Sequence, residues 1–351
     1  VIAGYDQGLV ARLQRACRAG RKLGGEPAAE RAVRTKRNNL RGGDMRTRYV
    51  PAALVSVLTA QVALAQPPRP SPTPAPLEKL RSSVERITRS LNATWGIYVK
   101  CLETGEELAL DADRQMDTMS TIKIPLMIEA FEQIKAGRFK LEDRYTLAKA
   151  DMLPGTGILQ RLDAGAVMSV KDLITLMIIV SDNSATDVVF RMVGGPEAVN
   201  RRMESLGLKL TRATTSAREW FAALQAESNR EKFHREAKHP YGLSSAREMG
   251  LLLERMEQGK LVDEPSSKLM LEILRRQLYR TRIPRFLSGW SVPHKTGDFL
   301  PFIADDVGVL EARGRTVVIS VFTANHFGSG EALEEAIGRV AEQVAAYFAY
   351  R

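Results

Sequence analysis

Cysteine is nearly missing from this chain of 351 residues, which has only Cys17 and Cys101. Cys17 falls in a segment expected not to belong to the mature protein, so Cys101 stands alone and an intramolecular disulfide is excluded. On "WGIYVKC" it alternates in phase with Trp95, Ile97 and Val99, the pattern of a buried packing residue rather than a reactive thiol. Histidine is equally scarce. The four present, His234, His239, His294 and His326, share no helical spacing with another ligand, so no metal site and no cofactor is expected. Internal repeats are lacking, which excludes a solenoid. No apolar run is long and cleanly flanked enough to cross a bilayer.

The remaining composition, 44% hydrophobic and 26% charged, is that of an ordinary soluble domain. The net charge of +10 is unevenly placed. Residues 1–65 hold twelve Lys/Arg against four Asp/Glu, a net of +8, which leaves +2 for residues 66–351 and gives no reason to expect nucleic acid as a partner. Within that segment "MRTRYVPAALVSVLTAQVALAQ" has a basic start (Arg46, Arg48), an apolar stretch from Tyr49 to Val62, and Ala63 and Ala65 before Gln66. This is the pattern of a secretory signal peptide over residues 45–65. Residues 1–44 then read as upstream sequence, untranslated or non-native, and residues 66–76 as a Pro-rich linker. The expected product is a periplasmic or secreted bacterial protein, a monomer without stable membrane insertion once processed.

The body spans residues 77–351. Leu77, Leu80, Val84, Ile87 and Leu91 fall on one helical face, which Asn92 can end. The period then changes to two: "WGIYVKCLE" and "EELALDADR" flank Thr104 and Gly105 as a hairpin, and "DDVGVLEARGRTVVISVFTA" repeats the pattern around "ARGR". Leu333, Ile337, Val340, Val344 and Phe348 mark a closing helix. The segment between is helical in pattern and includes the near-continuous apolar run "DLITLMIIV". The expected fold is an α/β part from about 77–118 and 276–351, with an all-helical part, about 119–275, inserted into it.

The stretch "DTMSTIKIPLMIEAF", residues 117–131, places Ser120 three residues before Lys123, on one helical face a turn apart. An unprotonated lysine there can take the serine proton, and a helix N-terminus favours a developing oxyanion. A capping serine beside a solvated lysine gives the same three letters. Pro125 inside the helix would remove the hydrogen bond to the Thr121 carbonyl, a cost more natural beside a functional site. Two later fragments decide between the readings. "SDN", Ser181–Asn183, follows the buried helix, and "HKTGD", His294–Asp298, precedes the last strands, where Lys295 and Thr296 can bind a carboxylate and Gly297 lets a ligand lie along the strand.

S-x-x-K, SDN and KTG in this order resemble the serine β-lactamase and penicillin-binding-protein superfamily, most closely class A β-lactamases. "SDNSATDVVFRMVGGPEAVN" is similar to that family's SDN helix and Gly-Gly-Pro turn. The resemblance covers about residues 95–325 and implies an antiparallel sheet flanked by terminal helices with an inserted helical domain. It implies Ser120 as acylated nucleophile, Lys123 as base or relay, Ser181 as proton shuttle and Asn183 as holder of the substrate side-chain amide. It further implies Lys295 and Thr296 as carboxylate binders, with Gly297 beside them, and the amides of Ser120 and Asp298 as oxyanion hole. The substrate would be a β-lactam or cell-wall peptide. The family's E-x-x-L-N motif is absent; Glu219 is the acid nearest the expected offset for a deacylating base, ahead of Glu227, Glu231 and Glu236. A secreted class A-like β-lactamase is therefore the leading expectation. A D-Ala-D-Ala peptidase or penicillin-binding protein, an esterase on the same scaffold, and a non-catalytic sensor stay open, as does which of Arg280, Arg282 and Arg285 meets the substrate carboxylate.

Overall fold

In the computed structural model, which describes residues 76–349 apart from 228, 237, 238 and 313, the first apolar stripe forms helix α1, Pro76–Arg89. It stops short of Asn92. The expected upstream segment, signal peptide and nearly all of the linker lie outside the described residues. Strands β1, Thr94–Cys101, and β2, Glu107–Leu110, make the predicted hairpin, with Gly105 in the turn at φ +72°. After β3, Met116–Asp117, a 3₁₀ turn over Met119–Ile122 leads into α2, Lys123–Lys135. Then come β4, Arg144–Thr146, and β5, Val167–Ser169, and helices α3, Val170–Ile179, α4, Asn183–Val193, and α5, Pro196–Ser205. The chain continues through β6, Arg212–Ala213, α6, Ala217–Ala226, α7, Arg230–Glu236, β7, Gly242–Ser244, α8, Ala246–Glu257, and α9, Glu264–Arg275. It ends with β8, His294–Phe299, β9, Ile303–Ala312, β10, Arg315–Ala324, and α10, Gly330–Ala349.

The main sheet is antiparallel in the order β2-β1-β10-β9-β8, so its middle joins the two ends of the body, with Thr94 opposite Ala324 and Cys101 opposite Val317. Alternation sorts the strands onto two faces. Ile97, Val99, Cys101, Val317, Ile319 and Val321 face α1 and α10, meeting Leu80, Val84, Leu333, Ile337, Val340, Val344 and Phe348. Tyr98, Val309, Val318 and Phe322 point the other way into the core shared with the helical region. Burying each such side chain contributes roughly 1.5–3 kcal/mol, so a strand covered on both faces reads as a continuous apolar run, as "TVVISVF" does.

Local signals set the helix ends near the site. Ser169 caps α3 through Asp172 N–H, Asp182 caps α4 through Ala185 N–H, and Gly194, at φ +93°, ends α4 in the left-handed region that favours glycine. Helix α2 is apolar nearly all round, with Ile124, Leu126, Met127, Ile128, Ala130 and Phe131 buried, which makes it a central helix. Pro125 sits in the first turn of α2, not in its interior. A helical amide is not required there, so the expected backbone cost does not arise.

The stretch expected to be all-helical holds the small sheet β4-β5 and two strands, β6 and β7, of a second small sheet whose third strand is β3. Strands of two or three residues are too short to show a period, and their pairing is set by tertiary contact. Helix α8, also within that stretch, packs on β1 and β10, so the main sheet lies between α1/α10 and α8. Among the described residues no helix is long and apolar enough to cross a membrane. The close approach of α8 depends on Gly250, where an added Cβ would stand 2.3 Å from the Tyr98 ring. Gly250→Ala should therefore lower stability by about 1–3 kcal/mol in a denaturant titration, with secondary structure retained by circular dichroism.

Candidate active site

Ser120 lies in the 3₁₀ turn, and the turn is held from both sides. The Asp117 carboxylate accepts from the Met119 amide at 2.9 Å, and the Thr118 amide donates to the Gly242 carbonyl at 2.9 Å. Met119, just before the serine, has φ +42°, a strained value for a methionine that the surrounding contacts must impose. Lys123 opens α2 one turn later and is 0% exposed. Its Nζ lies 2.9 Å from the Ser181 carbonyl oxygen, 2.9 Å from Ser181 Oγ and 3.1 Å from Asn183 Oδ1.

Ser181 is placed by the break between α3 and α4 and has φ +52°. Asp182, the middle letter of SDN, is structural. It caps α4, and its Oδ2 accepts from the amides of Ile158 (2.6 Å) and Leu159 (2.9 Å), drawing the 154–159 loop onto the corner. Gly157 makes this possible, since a Cβ there would fall 2.3 Å from the Asp182 carboxylate. Thr156 Oγ1 donates to the Ser181 carbonyl at 2.7 Å, and Asn183 Nδ2 donates to the Pro154 carbonyl at 3.2 Å.

The third wall is β8, the edge strand of the main sheet. Lys295, 0% exposed, brings Nζ to 3.1 Å from Ser181 Oγ and donates to the Thr296 carbonyl at 2.7 Å. Gly297 lets the strand backbone close on the Ser120 turn: an added Cβ would stand 2.5 Å from the Thr118 carbonyl oxygen and 3.1 Å from the Ser120 amide. Lys123, Ser181, Asn183 and Lys295 thus form one hydrogen-bonded network, with Thr296, Gly297 and Asp298 along the same strand and Ser120 at its side.

Electrostatics follow from burial. Desolvation first, and then the charge of Lys295, hold the Lys123 amine well below the ordinary lysine range, against the pull of Asp182 and Asp298. Desolvation likewise brings Lys295 down to about 7, opposed by Asp298 and Asp306 and assisted by Arg282. A neutral Lys123 amine has two N–H groups and one lone pair, so it can accept a hydroxyl proton from within the network. Burial alone would raise the Asp298 carboxyl; Arg282, and then Lys295 and Lys123, hold it below the ordinary range as an anion.

Glu219 is placed elsewhere, which corrects the expectation from spacing. It is the third residue of α6, and its carboxylate closes a capping box on Ser216 N (3.0 Å) and Ser216 Oγ (3.0 Å) and accepts from Thr215 Oγ1 (3.1 Å). The Ser216 amide, the Ser216 hydroxyl and Thr215, in that order, lower its pKa. S-x-x-E ahead of an apolar run is a helix-start signal, and here the glutamate serves it. The α6 side chain that lies against the Gly155 loop is Phe221. Its ring edge and Asn183 Nδ2 lie 2.7 Å and 2.6 Å from the point where a Cβ on Gly155 would stand. Phe221 and the Gly155–Gly157 loop went unnoticed in the sequence; the two glycines of "LPGTGIL" were the available signal. Of the arginines, Arg282 is 2% exposed and paired with Asp298 and Glu334, Arg285 lies near Glu331 and Glu335, and Arg280 is exposed.

The fold and the Ser–Lys, SDN and KTG walls define a β-lactamase/transpeptidase-like serine protein. The model of the β-lactamase enzyme family matches residues 79–348, and the chain belongs to that family. Over 274 residues it is 24% identical to the extended-spectrum β-lactamase PER-1 of Pseudomonas aeruginosa, covering 75% of this chain and 85% of that one. A β-lactamase of Rhodobacter capsulatus is 31% identical over 132 residues, 38% of this chain and 45% of the relative, so that match spans less than half of the relative's length. Among solved structures, a β-lactamase of Sphaerobacter thermophilus superposes with a TM-score of 0.68 at 28% identity, covering 77% and 97% of the two chains. PBP-A does so with a TM-score of 0.67 at 24% identity, over 78% and 97%, a likeness of fold.

Two outcomes follow. Glu219→Gln should cost about 0.5–1 kcal/mol of stability through the weakened cap, read by thermal unfolding. Lys295 titrates near 7 in the folded chain against an ordinary 10.5, so between these values the unfolded chain binds a proton that the native chain does not. Stability should therefore rise by about 2 kcal/mol from about pH 7 to about pH 9, and the rise should shrink in Lys295→Met, as read from urea midpoints.

Proposed function

We propose that this protein is a serine hydrolase of the class A-like β-lactamase type, acylated on Ser120 by a β-lactam or a related cell-wall amide. The observation that carries the reading is the buried Lys123 amine, joined through Ser181 Oγ to Lys295, with burial and the Lys295 charge both lowering its pKa. Ser120 Oγ attacks the carbonyl while its proton passes to Lys123 Nζ, and the charge on the carbonyl oxygen is met by the amides of Ser120 and Asp298. As the C–N bond breaks, Ser181 gives its proton to the leaving nitrogen and is reprotonated from Lys123. The product is a seryl ester, with the ring nitrogen now an amine. Hydrolysis adds water across that ester, with Lys123, neutral again, as the base the network offers. Asn183 orients the substrate amide, and Lys295 and Thr296 receive its carboxylate. The signal-type segment at residues 45–65 makes the periplasm or the exterior the proposed location.

A second reading, a penicillin-binding protein whose acyl-enzyme persists, is favoured by one observation: the Glu219 carboxylate is taken up by its helix cap, while the α6 side chain beside Gly155 is the Phe221 ring. PBP-A has been solved as a mutant acyl-enzyme complex with penicillin G. Intact mass after mixing with a modest excess of penicillin, with free drug followed in parallel, separates the two. Many turnovers with the protein mass restored support the hydrolase, and a stable adduct of one drug per chain supports the second reading. Ser120→Ala should abolish the adduct with the fold intact; labelling at another residue would overturn both.

A further inference from the structure

The residue after the KTG motif is an aspartate, and its carboxylate is in an unusual place. Asp298 lies on the edge strand beside the lysines of the site, 29% exposed, with Oδ1 accepting from Arg282 Nη2. Arg282 is fully engaged: Nη1 donates to the Gly297 carbonyl (3.0 Å) and the Asp305 carbonyl (2.7 Å), and Nε and Nη2 meet Glu334. The guanidinium closest to the strand is therefore already neutralised from within. On the same strand, the Thr296 hydroxyl is buried and has no hydrogen-bond partner, a donor shaped for an incoming acceptor. An anion that reaches for Thr296 and Lys295 therefore meets the negative charge of Asp298 two residues beyond Thr296 on the same strand. The other charged and titratable groups facing Asp298 are Lys123 across the cleft, Tyr279 at its rim, and Asp305 on the neighbouring strand.

We infer that Asp298 tunes the charge selectivity of the cleft, weakening the hold of Lys295 and Thr296 on a substrate carboxylate and so narrowing the advantage of substrates that carry one over those with an uncharged group there. The inference rests on the reading of Ser120 as the acylated residue and concerns which substrates reach it. Like charges roughly 7 Å apart, the spacing of two residues along a strand, cost enough at a half-wet site to change a rate by about tenfold, and salt weakens the effect. Glu334 remains as a partner for Arg282 when Asp298 is neutralised, so the buried guanidinium is not stranded.

The test is the ratio of second-order acylation constants for penicillin G and for its uncharged methyl ester, measured by intact mass on the full chain. In Asp298→Asn, and in Asp298→Ser as an independent neutral variant, the ratio of anionic to neutral probe should rise about tenfold. Asp298→Glu, which keeps the charge and alters the shape, should hold the ratio near that of the unmodified protein. A ratio unchanged within about twofold in the neutral variants, or an equal shift in Asp298→Glu, overturns the charge assignment and leaves the Ser120 reading standing. Absence of any adduct on the unmodified chain with both probes overturns the Ser120 reading and the inference with it.

Discussion

Burial of the Lys123 amine where α2, the Ser181–Asn183 corner and β8 converge is the constraint on which the rest of the site depends. An ammonium excluded from water needs either a counter-charge or the loss of its proton. Its hydrogen-bond partners are a carbonyl, a hydroxyl and an amide oxygen, all uncharged. The proton is therefore the cheaper thing to give up, and a lysine without it is a base. Lys295 tightens the same condition, since two buried amines sharing one hydroxyl oxygen cannot both keep their charge easily. Chemistry and architecture meet in Ser181 Oγ.

That oxygen is held by backbone, not by luck of rotamer. Ser181 takes a positive φ at the break between two helices, and Met119 takes one just before the nucleophile. Each such residue costs of order 1–3 kcal/mol, and the surroundings must over-determine it. Here they do: Asp117 pins the turn before Ser120, while Thr156, Asp182 and the Gly155–Gly157 loop pin the corner around Ser181. The apolar helices α2 and α3 supply the rigid backing. Asp182 shows the division of labour within three letters, because Ser181 and Asn183 face the amine while the residue between them is spent on caps and loop.

Much of this was legible in the chain because its signals are local. The two hairpins, the closing helix, the buried phase of Cys101 and the three motifs follow from spacings of two to four residues, which short-range sterics and alternation enforce. What escaped depends on partners distant in sequence. The two- and three-residue strands have no period of their own. Pro125 looked interior until the 3₁₀ turn moved the start of α2. Glu219 satisfied a spacing rule and a capping rule at once, and the cap took it; Phe221, two residues on, drew no notice because an aromatic in an amphipathic helix normally packs in a core. Arg282 could be named as a candidate, but its pairing with Asp298 and Glu334 joins three separate segments.

The order of the main sheet carries a consequence for how the molecule is made. The pairing of β1 with β10 joins residues as far apart as Thr94 and Ala324, and just beyond it Asn325 Nδ2 donates to Thr94 Oγ1 across 231 positions of chain. The sheet cannot close until nearly the whole body has been synthesised, and contacts of such separation are among the slowest to form. Until then β1 has only β2 beside it, and the wall that carries Lys295 has no frame to stand in. The wall formed by β8 therefore joins the Ser120 turn and the Lys123 amine only after the ends of the body have met.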